Sequence, residues 1–192
     1  MKSVECGAAS WRHIGERLRL KSRWVTVVCD QWQVADGVID YWRVERPNSV
    51  VVVPWTQSGV YVLAPNYRPG IASSTTDFPG GRWEERSSED AAYGILKREV
   101  GLSPGDLQDL RPVGRARNVD SSFSSQQLMV YSVKLIAPLS TGQLSLIPIR
   151  HFTDFQKARA SIDCLQCSSA LTDWYLDRYH RPDQKMATDA FG

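Results

Sequence analysis

Between Trp24 and Leu63 the chain is dominated by β-branched and aromatic residues, interrupted by two short turn signals, Asp36-Gly37 and Gln57-Ser58-Gly59. Val, Ile, Thr, Trp and Tyr suit a pleated, half-buried surface, and Asp-Gly between two such runs marks a hairpin. The pattern predicts two strands within Trp24–Val44, a third over Ser49–Thr56 and a fourth over Val60–Leu63. This much of the chain therefore reads as a mostly antiparallel sheet. The next segment, 64–76, carries two prolines, a glycine and a Ser/Thr cluster. It reads as a loop longer than an ordinary connection, of the kind that carries function.

Helical spacing begins at Ser88, where Ala91, Ala92, Ile95, Leu96 and Val100 define one apolar face and Gly101 supplies a stop. Strand-like runs return over 107–115 and 126–136, separated by the polar loop Asn118–Ser125. A last apolar periodicity, Ile162 to Tyr175, predicts a helix over 158–179. The class is α+β. The expected organisation is an N-terminal extension (1–23), one domain (24–180) and a polar tail (181–192).

A chain of 192 residues can bury a core without staples, and 42% hydrophobic with 23% charged residues is ordinary for a globular protein. A net charge of +2 is too small to indicate nucleic acid, although Arg12, Arg17, Arg19, Lys21 and Arg23 form a local basic run that reads as a solvated face, with an anion or partner contact as the alternative. The first residues lack an apolar signal region and the longest apolar run, Val50–Val53, is too short for a membrane span, so a cytoplasmic protein is expected. Four scattered cysteines do not resemble a disulfide framework, and Cys164-Leu165-Gln166-Cys167, lying in a helical pattern with no second CxxC, reads as packed reduced thiols. His13, His151 and His180 are isolated, and no nucleophile elbow, zincin or P-loop motif occurs.

Strands, a loop, Pro79-Gly80-Gly81, a helix ending in Glu99-Val100-Gly101-Leu102, more strands and a final helix make an order similar to that of the Nudix hydrolases, especially the ADP-ribose (ADP-sugar) pyrophosphatase branch. That family's box reads G-x5-E-x7-R-E-U-x-E-E-x-G-U, with U a bulky aliphatic residue. Here Gly81 matches its first glycine, and Leu96, Glu99, Gly101 and Leu102 match its right end, with one residue fewer between. Tyr67-Arg68 resembles the family's QYR, and Asp77-Phe78-Pro79-Gly80-Gly81 its ELPGG. The resemblance covers roughly residues 24–180. It implies a Nudix fold, a mixed, mostly antiparallel sheet sandwiched between helices (α/β/α), and a homodimer joined through the N-terminal strands.

The box itself is degenerate. In the family, helix glutamates hold magnesium ions that bridge a diphosphate, a task that needs several hard oxygen ligands. The run R-E-U-x-E-E reads Gly94-Ile95-Leu96-Lys97-Arg98-Glu99 here, so only Glu99 remains and Ile95 stands where its partner should be, on the same face. The later-loop glutamate would fall at Ser124–Gln127, which offers only amides and hydroxyls.

Glu99 is thus the one candidate catalytic residue. Arg68, Asp77, Gly80, Gly81, Trp83, Arg98 and Phe123 are the candidate ligand contacts. Glu84 and Glu85, with Glu99 and Asp77, would have to rebuild a Mg²⁺ or Mn²⁺ site. Against these stand plain structural roles: acids before the helix favour its N-terminus, Glu99 pairs with a neighbouring arginine, and Trp83 packs over a loop. Three readings follow. The first is a silent or impaired Nudix domain, without a cofactor, that binds a nucleotide-like or anionic molecule or a protein partner. The second is an active pyrophosphohydrolase with a rebuilt metal site, and the third is the same cleft running metal-independent chemistry.

Overall fold

The computed structural model describes residues 11–83, 87–139 and 144–179. The chain divides into two compact units, 1–47 with 118–126, and 48–117 with 127–192.

The first unit is a three-stranded antiparallel sheet, β1 (Arg12–Lys21), β2 (Thr26–Val34) and β3 (Gly37–Glu45), in the order β1-β2-β3. Val34 pairs with Gly37, so the hairpin loop is Ala35-Asp36 and Gly37, at φ +134°, opens the returning strand. Residues 12–21, expected to be an extension, form a full strand on β2. Their arginines hid this, because β1 is held by its ladder and by ion pairs rather than by an apolar face. Arg17 pairs with Asp40, and Arg19 with Glu16 and Glu45. Asp30, buried on β2, accepts a hydrogen bond from Arg43 Nε and lies 3.4 Å from the His13 ring.

The second unit holds β4 (Asn48–Thr56), β5 (Gly59–Leu63), a short hairpin of β6 (Asn66–Arg68) and β7 (Ser73–Thr75), β8 (Gly80–Trp83), α1 (Ser88–Ile95), β9 (Leu107–Pro112), β10 (Arg117–Asn118, at the point where the chain leaves this unit), β11 (Gln127–Leu135), β12 (Leu144–Pro148), α2 (Phe152–Ala160) and α3 (Leu165–Tyr179). Within its main sheet β11, β4, β5 and β12 are neighbours in that order, with β8 also paired to β4 and β9 to β11. The β4–β11 pair is parallel; the other named pairs are antiparallel.

Strand β4 explains why a continuous valine run was needed. Val51, Val53 and Trp55 point into one core with Val60, Val62, Phe155, Ala158, Leu171 and Trp174, while Val50 and Val52 point into the other with Tyr61, Ala92, Ile95, Leu96 and Val100. A strand covered on both faces cannot alternate with polar residues. Each valine buried in this way stabilises by roughly 1.5–3 kcal/mol. Helices α2 and α3 cover one face of the sheet and α1 the other. Pro54 is tolerated because β8 pairs with β4 only up to Val51 and pairing with β5 begins at Trp55, so its missing N–H falls in the gap between partners.

Helix α1 starts at Ser88, where the apolar pattern places it: the Ser87 hydroxyl accepts the Asp90 N–H at 3.0 Å, with Glu89 and Asp90 in the first turn. It continues as a wider π-helical turn, Leu96–Val100, and ends at Gly101 with φ +75°. The single late helix expected over 158–179 is two helices. Ser161 closes α2 by donating from its N–H and hydroxyl to Ala158, and buried Ile162 keeps the apolar spacing running through the break. No helix among the described residues is long and apolar enough to cross a membrane.

Candidate functional site

Strand β8 lies on β4, with Val51 opposite Gly80 and Val50 opposite Gly81, and the end of the α1 segment packs over it. This contact brings Gly80, Gly81, Ile95, Arg98 and Glu99 together. The Gly80 N–H donates to Glu99 Oε2 at 3.0 Å, and Arg98 Nη2 donates to Glu99 Oε1 at 2.8 Å. A Cβ on Gly81 would lie 2.9 Å from Arg98 Nη2 and 3.1 Å from Ile95 Cγ1, so glycine is what lets the helix come this close. Ile95 is fully buried beneath the strand. Ile95 and Glu99 do face the same strand, as their spacing suggests, and each of the two Glu99 oxygens already has a protein donor. The guanidinium of Arg98 is mostly exposed.

Arg68 and Asp77 form a second group on the same unit. The Arg68 guanidinium clamps Asp77 Oδ2, with Nε at 3.1 Å, and the Thr75 hydroxyl donates to the same oxygen at 2.9 Å. The carboxylate beside it raises the Arg68 pKa above its ordinary value. Asp77 is buried, and its Oδ1 has no hydrogen-bond partner among the described residues.

Cys164 and Cys167 lie against this carboxylate: one ligand atom from each of Asp77, Cys164 and Cys167 falls within 4.8 Å of the other two. The CxxC is not inside a helix, as its pattern implies, but at the mouth of one. Cys164 immediately precedes α3, and its carbonyl accepts the Ser168 N–H at 2.8 Å. A hydrogen bond from Cys167 brings the half-buried Cys164 thiol down to about 6, and the same contact pushes the buried Cys167 thiol up.

The ring of Trp83 packs against the core containing Ala92, Ile95 and Leu96. Phe123 is half exposed and belongs to the other unit, where its carbonyl accepts the Val44 N–H. Glu84 and Glu85 lie outside the described residues. A shallow depression of about 650 Å³ on the outer side of α1 is lined by Asp90, Tyr93, Gly94, Lys97 and the segment after Gly101, and it contains none of the candidate residues. The sequence reading took the CxxC as packed reduced thiols and did not join it to Asp77. The two motifs are 87 positions apart, and only the sheet topology joins them.

No protein-family profile matches the chain, and no curated protein matches it by sequence. Among solved structures it is similar to one titled "Crystal structure of ADP compounds hydrolase", with a TM-score of 0.70 and 21% identity over 89% of this chain and 96% of that one. At that identity the likeness establishes the architecture: this chain has a mixed α+β, Nudix-like fold.

Proposed function

We propose that this chain is a Nudix-fold protein that has lost, or nearly lost, metal-dependent pyrophosphohydrolysis. It binds a nucleotide-like or other anionic small molecule, or a protein partner, in a regulatory or scaffolding role. The observation that carries this reading is the environment of Glu99, whose two oxygens accept from Gly80 and Arg98 while Ile95 is buried beside it. Magnesium requires several hard oxygens at once, and here the local charge is already neutralised by Arg98. The exposed guanidinium groups of Arg98 and Arg68 suit phosphate or carboxylate oxygens directly. Asp77, Gly80, Gly81 and Trp83 complete the proposed set of contacts. The protein is proposed to be cytoplasmic and homodimeric, the exposed Leu18, Leu20, Val38 and Trp42 of the β1–β3 sheet giving the partner an apolar surface. A monomeric mass by light scattering at micromolar concentration would remove the dimer.

The likeness to a structure titled as a hydrolase of ADP compounds favours a second reading. There the chain is an active pyrophosphohydrolase on a diphosphate-linked nucleotide, using Mg²⁺ or Mn²⁺ held by Glu99, Glu84, Glu85 and Asp77. The two are separated by phosphate release from ADP-ribose, other nucleotide sugars, dinucleotide polyphosphates and isoprenyl diphosphates with either metal, beside Glu99→Gln. Turnover equal in the two proteins supports the silent box. Metal-dependent turnover lost in the variant establishes the second reading instead.

A further inference from the structure

We propose that Asp77, Cys164 and Cys167 form a binding site for a soft divalent cation of the zinc type, distinguished by its two thiolates from the magnesium chemistry associated with the box. Two thiols and a carboxylate offer one donor atom each, all within 4.8 Å of one another. A tetrahedral zinc with Zn–S of about 2.3 Å and Zn–O of about 2.0–2.2 Å holds its donors roughly 3.5 Å apart, so closing on the ion needs movements of about an ångström. Cys164 and Cys167 sit at the first turn of α3, a spacing that turns both sulfurs to the same side. The sulfurs select zinc-like ions over magnesium.

The state of Asp77 distinguishes a cation site from a merely redox-active pair. Arg68 and Thr75 both donate to Oδ2, fixing the carboxylate, while Oδ1 is buried without a partner. Hydrogen bonds on one oxygen that present the other are how carboxylate ligands are oriented. A Cys164–Cys167 disulfide would use both thiols and leave Oδ1 orphaned, at the cost expected of an unsatisfied buried acceptor. A bound cation uses all three atoms, and the three formal negative charges of two thiolates and a carboxylate are balanced by the divalent ion and the Arg68 guanidinium. Cys164 is half-buried, which leaves a side open for a fourth ligand such as water.

The test is titration of the reduced full chain with Co²⁺, followed by displacement with Zn²⁺, read by thiolate-to-cobalt charge-transfer absorption. One equivalent with those bands is expected, lost in Cys164→Ser and Cys167→Ser. Asp77→Asn should weaken it by at least the roughly 10–100-fold that losing even an outer partner costs. Serine is a good residue at the start of a helix, so Cys164→Ser decides the matter if Cys167→Ser does not fold. Absence of the bands at micromolar cobalt, or bands unchanged in Cys164→Ser, would overturn the site. So would loss of both free thiols to a low-molecular-weight disulfide, by exchange that forms a Cys164–Cys167 bond and releases two small thiols, in a protein that binds no metal.

Discussion

Glu99 Oε2 accepts the backbone N–H of Gly80 at 3.0 Å, tying the end of the α1 segment to strand β8. If the carboxylate is a structural strut, what matters is an acceptor oxygen at that point rather than a charge. Glu99→Gln keeps the oxygen and loses only the pair with the largely exposed Arg98. It is expected to cost under about 1 kcal/mol. Glu99→Ala leaves the Gly80 N–H without its partner and is expected to cost about 1–3 kcal/mol. Urea midpoints for the two variants check the order; equal losses would point to a role for the charge itself.

Gly37 and Gly59 occupy the same position in two hairpins, each opening the returning strand, at φ +134° and +145°. Their surroundings differ. A Cβ at Gly37 meets nothing within 4 Å, whereas one at Gly59 would lie 2.1 Å from the Ile147 carbonyl on β12. Gly37→Ala therefore carries backbone strain alone, about 1–3 kcal/mol. Gly59→Ala adds a backbone collision in the main sheet and is expected to cost more than about 3 kcal/mol or to abolish expression of folded protein. Thermal unfolding of the two variants side by side tests the difference.

Acid should weaken the β1–β3 sheet. Hydrogen bonds from Arg19, then Arg43, hold the Glu45 carboxyl down at about 2, from an ordinary 4.5. Arg43, then His13, holds buried Asp30 below the usual carboxylate range against the opposing effect of burial. Both folded-state values are depressed, so the unfolded chain binds protons first as pH falls. The stabilisation is complete above about 4.5 and is lost on descent toward about 2 for Glu45. Far-UV dichroism of the wild type against Arg43→Met should show the variant unfolding at higher pH. Coincident acid transitions would mean that these pairs contribute nothing.

The strands that carry their own apolar pattern were readable: β2 to β5 and β11 fall where the β-branched runs lie, and α1 where its 3.6-residue face does. Elements held by pairing alone were not. Strand β1 is arginine-rich and almost wholly exposed, and β8 is Gly80-Gly81-Arg82-Trp83, which has no strand composition and exists because β4 offers it an edge. The parallel β4–β11 pair joins segments more than 70 residues apart, a relationship that no local signal carries. The candidate residues divide in the same way. Glu99, Gly80 and Gly81 stood out from their motif, whereas Asp77 and the two cysteines could be joined only once the chain had folded.

Within the main sheet Trp55 Nε1 on β4 donates to Ser132 Oγ on β11 at 2.9 Å, both residues buried. Ser132→Ala removes the acceptor and leaves an indole N–H enclosed by the core, so a loss of about 1–3 kcal/mol is expected. Trp55→Phe removes the donor and about one ring of packing against Trp174, whose centroid lies 6.2 Å away; it also removes part of the face on which the Arg178 guanidinium rests at 4.0 Å. The double variant has neither an orphaned donor nor an orphaned acceptor, so its loss should fall short of the sum of the two single losses by about 1 kcal/mol or more. Denaturant unfolding of the four proteins measures that coupling. Strict additivity would mean that the two polar atoms do not bond across the β4–β11 pair.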